Sequence, residues 1–120
     1  MKPMDNARLR GLIGLTVRAR QAVFGEDGCL KCIRAGNCGV LLLEARASQA
    51  TTGKYRGACE HAGVPLGILP DDMLLEAAGR PGVAMAVLKG GLAQQIISLL
   101  PQAEAQPMKS SNNGGGASVE

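Results

Sequence analysis

Residues 40–69 read VLLLEARASQATTGKYRGACEHAGVPLGIL, and their pattern decides the architecture. Val40-Leu41-Leu42-Leu43 is continuously apolar rather than alternating, as in a strand buried on both faces. Ser48 stands where a helix needs an N-cap, and the helix runs to about His61 with Gly63 placed to end it. Val64 to Leu69 is a second apolar strand. Working outward toward the N-terminus, Leu9, Leu12, Ile13, Thr16 and Val17 recur at helical spacing between arginines, so residues 5–19 read as an amphipathic helix. Gln21 to Phe24 is a short extended piece. Gly25 opens another helix with Glu26 and Asp27 in its first turn, where acids suit the positive end of the dipole. Arg34 falls in the last turn of that helix, and Gly36 is placed to end it. Toward the C-terminus, Pro70-Asp71-Asp72 signals a turn and cap before a short helix, Met73 to Ala78. Gly79-Arg80-Pro81-Gly82 is a loop, Val83 to Leu88 a third apolar strand, and Leu92, Ile96, Leu99 and Leu100 a closing helix ended by Pro101. Helices alternating with buried strands predict an α/β fold, a three-layer α/β/α sandwich with a small mixed central sheet.

The chain has 120 residues, enough for one domain. Residues 1–100 form the expected folding unit. Residues 101–120, PQAEAQPMKSSNNGGGASVE, are small and polar and read as a disordered C-terminal tail. Hydrophobic residues are 46% and charged residues 19%, ordinary for a globular protein, so a core forms without disulfides or metal. The apolar run at Val40–Leu43 is far too short to cross a bilayer, and MKPMDNARLR lacks the apolar centre of a signal peptide. The expectation is a cytoplasmic protein with no membrane partner.

Charge is distributed unevenly. Residues 1–60 carry ten Lys/Arg against five Asp/Glu, and residues 61–120 three against five. An excess of cations on one part of the chain suggests a polyanionic partner, although a solvated helix surface accounts for it as well. Phe24 and Tyr55 are the only aromatic residues. That argues against modules that stack single-stranded bases on rings.

Cys29, Cys32, Cys38 and Cys59 are the loudest local feature. Cys29-x-x-Cys32 has the spacing of zinc knuckles and redox dithiols, but no second CxxC pair follows and His61 is the only histidine. Both cysteines fall inside a helical pattern beside Leu30 and Ile33, where cysteine behaves as a small apolar residue. Core thiols are therefore expected, with no metal or other cofactor. A catalytic set is also missing from the pattern. Asp71 and Asp72 are adjacent and read as a helix start, and Gly11-Leu12-Ile13-Gly14 lacks the Lys and Ser/Thr of a phosphate loop. The expectation is a protein that is not an enzyme.

The Gly25 segment reads differently. A glycine turn feeding directly into a helix exposes unpaired backbone N–H groups and brings the chain close to a bound partner. Asp27 suits the donors of guanine edges, and Lys31 and Arg34, one turn apart, suit phosphate or guanine acceptors. An ordinary helix start with exposed cations is the plain alternative.

Four stretches, LRGLIGLTVRARQAVFGEDGCLKCIRAG, GVLLLEARAS, CEHAGVPLGIL and EAAGRPGVAMAVLKGGLAQQIISLL, run in order from about Leu9 to Leu100. Together they resemble the kink-turn-binding ribosomal-protein superfamily, the L-seven-Ae group, and within it the small bacterial YlxQ-like members. The resemblance implies an α/β/α sandwich that binds structured RNA, typically a sharply bent helix with tandem sheared G·A pairs. It places the RNA against a glycine turn, the start of the next helix and a loop before the last strand. Carried over, the family's Gly-x-Asn/Glu-Glu-x-x-Lys becomes Gly25-Glu26-Asp27-Gly28-Cys29-Leu30-Lys31, with Gly25 and Lys31 matching. Gly28 replaces a second acid, and Ala45-Arg46 stands where an acidic pair is usual. The RNA-binding residues expected on this reading are Gly25, Glu26, Asp27, Lys31, Arg34, Arg46 and Arg80; Asp27 would supply direct readout, and Lys31, Arg34, Arg46, Arg80, Lys54 and Arg56, as cations, would position the phosphates. The implied partners are kink-turn or ribosomal RNA and ribosomal proteins, in a bacterial cytoplasm. Two other classes compete at this stage: a metal- or thiol-dependent protein built on the four cysteines, and a protein-interaction module on the same fold.

Overall fold

In the computed structural model, residues 3–100 are described, with side chains from Asn6 onward. Nine elements follow one another: α1 (Pro3–Arg18), β1 (Ala22–Phe24), α2 (Glu26–Arg34), β2 (Cys38–Glu44), α3 (Gln49–Ala62), β3 (Leu66–Leu69), α4 (Met73–Ala78), β4 (Ala84–Leu88) and α5 (Gly91–Leu99). The four strands form a single mixed sheet in the order β1-β4-β2-β3. β2 is parallel to β3 and antiparallel to β4, which is antiparallel to β1.

The unbroken apolar run of β2 follows from its central position. Leu41 and Leu43 join a cluster under α2 and α3, with Ile33, Tyr55, Leu66 and Ala86. Val40 and Leu42 point to the other face, where Leu9 and Ile13 of α1, Leu74 of α4 and Ile96 of α5 cover them. Period-2 alternation therefore buries every side chain of the run, with each leucine contributing about 1.5–3 kcal/mol of transfer free energy. Gly39 sets the approach of α5, because a Cβ there would stand 2.7 Å from that of Ala93. The three-layer sandwich and the mixed sheet are as the sequence predicts.

The boundaries depart in places that have physical reasons. β3 starts at Leu66 rather than Val64, since Val64 N–H donates to Cys59 C=O at the end of α3 and Pro65 has no N–H for the ladder. Ser48 caps α3 as expected, its hydroxyl accepting from Thr51 N–H at 3.1 Å, and Gly63 ends it at φ 71°. The start of α4 differs more. Asp72 lies in the left-handed region at φ 68° and caps nothing with its side chain. The Leu74 N–H of that first turn instead donates to the buried carboxylate of Glu44, at 2.9 Å. The expected tail, residues 101–120, lies outside the described residues.

Candidate nucleic-acid interface

The strand register brings four chain segments to one end of the sheet. Phe24 closes β1 opposite Met85, Leu43 faces Ala84 at the start of β4, and Glu44 faces Leu69 at the end of β3. α2 and α3 both begin at this end, so the positive ends of two helix dipoles converge there. Gly25 makes the turn from β1 into α2 with φ 85° and ψ 146°, a backbone region close to glycine-only. No side chain caps α2, which leaves its first-turn N–H groups to solvent or to a ligand. Gly25, Glu26 and Asp27 are all exposed.

Across from this turn stands the segment Pro81–Ala84. Between the two lies a cavity of about 200 Å³, walled also by Phe24 and by Thr51 and Tyr55 of α3. Arg80 lies over the Phe24 ring, its guanidinium carbon 4.4 Å from the centroid, a cation–π contact at the rim. Burial pushes the Tyr55 hydroxyl pKa up, and the neighbouring Cys29 adds to the shift. The phenol therefore stays neutral in the cavity wall.

The predicted site residues fall into three groups. Gly25, Glu26, Asp27 and Arg80 gather directly around the cavity end of the sheet, while Lys31 and Arg34 lie further along α2, exposed and without an ion pair among the described residues. Glu26 is held by Lys54 of α3 at 2.6 Å, an exposed pair that ties the two helix starts together. Arg46 is engaged internally. Its Nε donates to Glu44 Oε1 at 2.8 Å, its Nη2 reaches Gly82 C=O at 3.4 Å, and its backbone N–H donates to Asp71 Oδ1 at 2.7 Å. The hydrogen bond to Glu44 pushes the Arg46 pKa further up.

Glu44 is the residue that sequence reasoning missed. Its side chain is fully buried, and each oxygen accepts one hydrogen bond, from Arg46 and from Leu74 N–H. One carboxylate thus links the end of β2, the start of α4 and, through Arg46, the Gly82 loop. The available signal was an acid closing an otherwise apolar strand. Gly28, another departure from the expected motif, has a packing reason: a Cβ there would meet Val23 Cγ1 at 3.0 Å.

All four cysteines are free, buried and part of the core under α2 and α3, with Cys29 and Cys32 on the apolar face of α2 as expected, Cys38 at the start of β2 and Cys59 on α3. Burial raises the pKa of each and pushes Cys38 and Cys59 up to about 12. Among the described residues no three His, Cys, Asp or Glu side chains gather as metal ligands would. No helix is long and apolar enough to cross a membrane, among the described residues.

No family model matches the chain. It is 36% identical over 91 residues to the RNA-binding protein YlxQ of Bacillus subtilis (strain 168), a match covering 74% of this chain and 91% of that protein. The chain belongs to the YlxQ family. Solved structures share the fold of this YlxQ-family chain. A protein of unknown function from Bacillus halodurans superposes with a TM-score of 0.74 at 27% identity, over 78% of this chain and 96% of that one. The 15.5kD RNA binding protein of Giardia lamblia superposes with a TM-score of 0.67 at 17% identity, over 83% and 93%. That second likeness concerns the fold alone, and it is the fold that the resemblance to the L-seven-Ae group implies.

Proposed function

We propose that this YlxQ-family chain is a non-enzymatic RNA-binding protein of the bacterial cytoplasm that grips sharply bent, kink-turn-like RNA at the Gly25 end of its sheet. The uncapped and exposed start of α2, opened by a glycine at φ 85°, carries the assignment. The name of its Bacillus subtilis relative, an RNA-binding protein, supports the choice of ligand. Backbone amides of the first turn and the dipole behind them suit phosphate or base acceptors. Asp27, exposed beside them, accepts from guanine donors, which a sheared G·A pair leaves open to a protein.

The cations divide the remaining work. Lys31 and Arg34, unpaired on the surface of α2, take phosphates of the flanking helix. Arg80, held over the Phe24 ring, presents its guanidinium to the RNA, while Glu26 and Lys54 form one wall. Arg46 acts through Glu44 and Gly82, fixing the loop that faces the turn. The cavity of about 200 Å³ between these walls takes a single unstacked base. Ribosomal RNA is the target class in view, with ribosomal proteins as neighbours on it.

The experiment is a gel shift with a kink-turn RNA beside the same RNA whose G·A pairs are replaced by Watson–Crick pairs. Tight binding to the first and weak binding to the second is the expected outcome. Equal binding to both would leave only general affinity for polyanions.

A further inference from the structure

α2 and α3 run side by side from the Gly25 end of the sheet, and an open groove of about 640 Å³ lies along them. One wall is Arg34 at the end of α2. The other is a stripe of α3 made by Gly53, Lys54, Gly57 and Ala58, continuing to His61 and Ala62. These positions recur at i, i+1, i+4, i+5, i+8 and i+9, so they form one helical face, about 13 Å long at 1.5 Å per residue. No carboxylate lines the groove. Its charged walls are Arg34 and Lys54, and Lys54 also reaches Glu26 at the mouth of the candidate interface, so the groove begins where that interface ends.

The floor has no internal explanation. A Cβ at Gly53 or Gly57 would meet nothing within 4 Å, so packing does not demand glycine at either position. Each exposed glycine nevertheless costs a helix about 1 kcal/mol relative to alanine. What the two glycines do provide is a helix surface without side chains between two cations, which allows another backbone to lie close against α3.

We propose that this groove is a phosphodiester track that holds one helical arm of the bound RNA as it leaves the kink, with Arg34 and Lys54 each neutralising one phosphate. The inference rests on the RNA-binding reading of the Gly25 end and extends it by a second surface. Charge sign chooses the occupant: an apolar partner helix would leave Arg34 facing it unpaired, whereas a phosphate backbone neutralises Arg34 and competes with Glu26 for Lys54, whose ion pair is exposed and therefore weak.

The test uses the full chain and two RNAs, a minimal kink-turn with short arms and the same RNA with each arm extended by about ten base pairs, enough to span the groove. Three proteins are compared: wild type, Arg34→Gln, and the double variant Gly53→Gln/Gly57→Gln, which fills the floor without adding charge. Glutamine favours helix over glycine, so the double variant melts no lower than wild type. Wild type binds the extended RNA more tightly, and two phosphate contacts make that advantage shrink about tenfold between 50 and 200 mM salt. The double glycine variant binds the minimal RNA as wild type does and loses the advantage of the long arms, while Arg34→Gln, which weakens binding to both RNAs, loses that advantage as well. If the long arms add nothing for wild type, or both variants keep the advantage, the groove proposal is overturned while the Gly25 reading stands. If wild type binds neither RNA, the Gly25 reading falls and the groove proposal falls with it.

Discussion

Replacing Glu44 by glutamine tests whether one buried carboxylate organises the end of the sheet. Both oxygens of Glu44 accept, one from Arg46 Nε at 2.8 Å and one from Leu74 N–H at 2.9 Å. Glutamine supplies one oxygen and one NH2 group, so whichever way the amide turns, two donors face each other on one side. Losing a hydrogen bond of a charged group costs about 1.5–3 kcal/mol. Removing a buried negative charge recovers part of its desolvation cost, and Arg46 is exposed enough to find water once released. The expected net loss is about 2 kcal/mol, which for a domain of this size lowers Tm by about 8–16 °C. Thermal and urea unfolding followed by far-UV circular dichroism measure it, with an unchanged m-value indicating an intact native state. The double variant Glu44→Gln/Arg46→Gln is expected to be less destabilised than the sum of its parts, since the two residues share one bond. A Glu44→Gln protein within about 0.5 kcal/mol of wild type, the scale of an ordinary surface change, would refute the hub.

Three further outcomes are expected. Lys31→Ala should weaken RNA binding and reduce the slope of log K against log salt by about 0.7–0.9, one phosphate's worth, while leaving Tm unchanged. Gly25→Ala forces a side chain into a backbone region at φ 85° and ψ 146°, and a loss of about 2 kcal/mol with a parallel fall in RNA affinity is expected in unfolding and gel-shift titrations. Stability should also fall in alkali. Cys38 and Cys59 titrate near 12 in the folded protein against an ordinary 9.0, so from pH 9 upward the unfolded chain releases protons that the folded one keeps. Each thiol then removes up to about 1.4 kcal/mol per pH unit between pH 9 and 12, and urea midpoints that stay constant from pH 8 to 11 would contradict the burial of these thiols.

Much of the fold was legible because its signals are local. The continuous β2 run, the Ser48 cap, the Gly63 stop and the glycine at the β1–α2 turn each declare themselves within a few residues. The mixed sheet order was not written locally, since β1 and β4 lie sixty residues apart and meet only through pairing of Phe24 with Met85. The candidate site shows the same division. Gly25 and the acids that follow it could be read from a helix start, and the structure gathers them on an exposed surface. The internal task of Arg46 could not be read, because it depends on Gly82 and Asp71 from distant loops. Asp72 looked like a cap by position, but the left-handed backbone at that residue hands the role to Glu44. Polar partnerships across the sheet leave no periodic trace, and that is where sequence reasoning stopped.

The pairing of β1 with β4 also sets when the interface comes into being. One wall of the Gly25 cavity comes from residues 24–26 and the facing wall from Pro81–Ala84, so no fragment that ends before residue 81 contains both. A chain synthesised only as far as α4 therefore carries no finished cavity. The facing wall takes its place only after Met85 to Val87 have emerged and zipped onto the first strand.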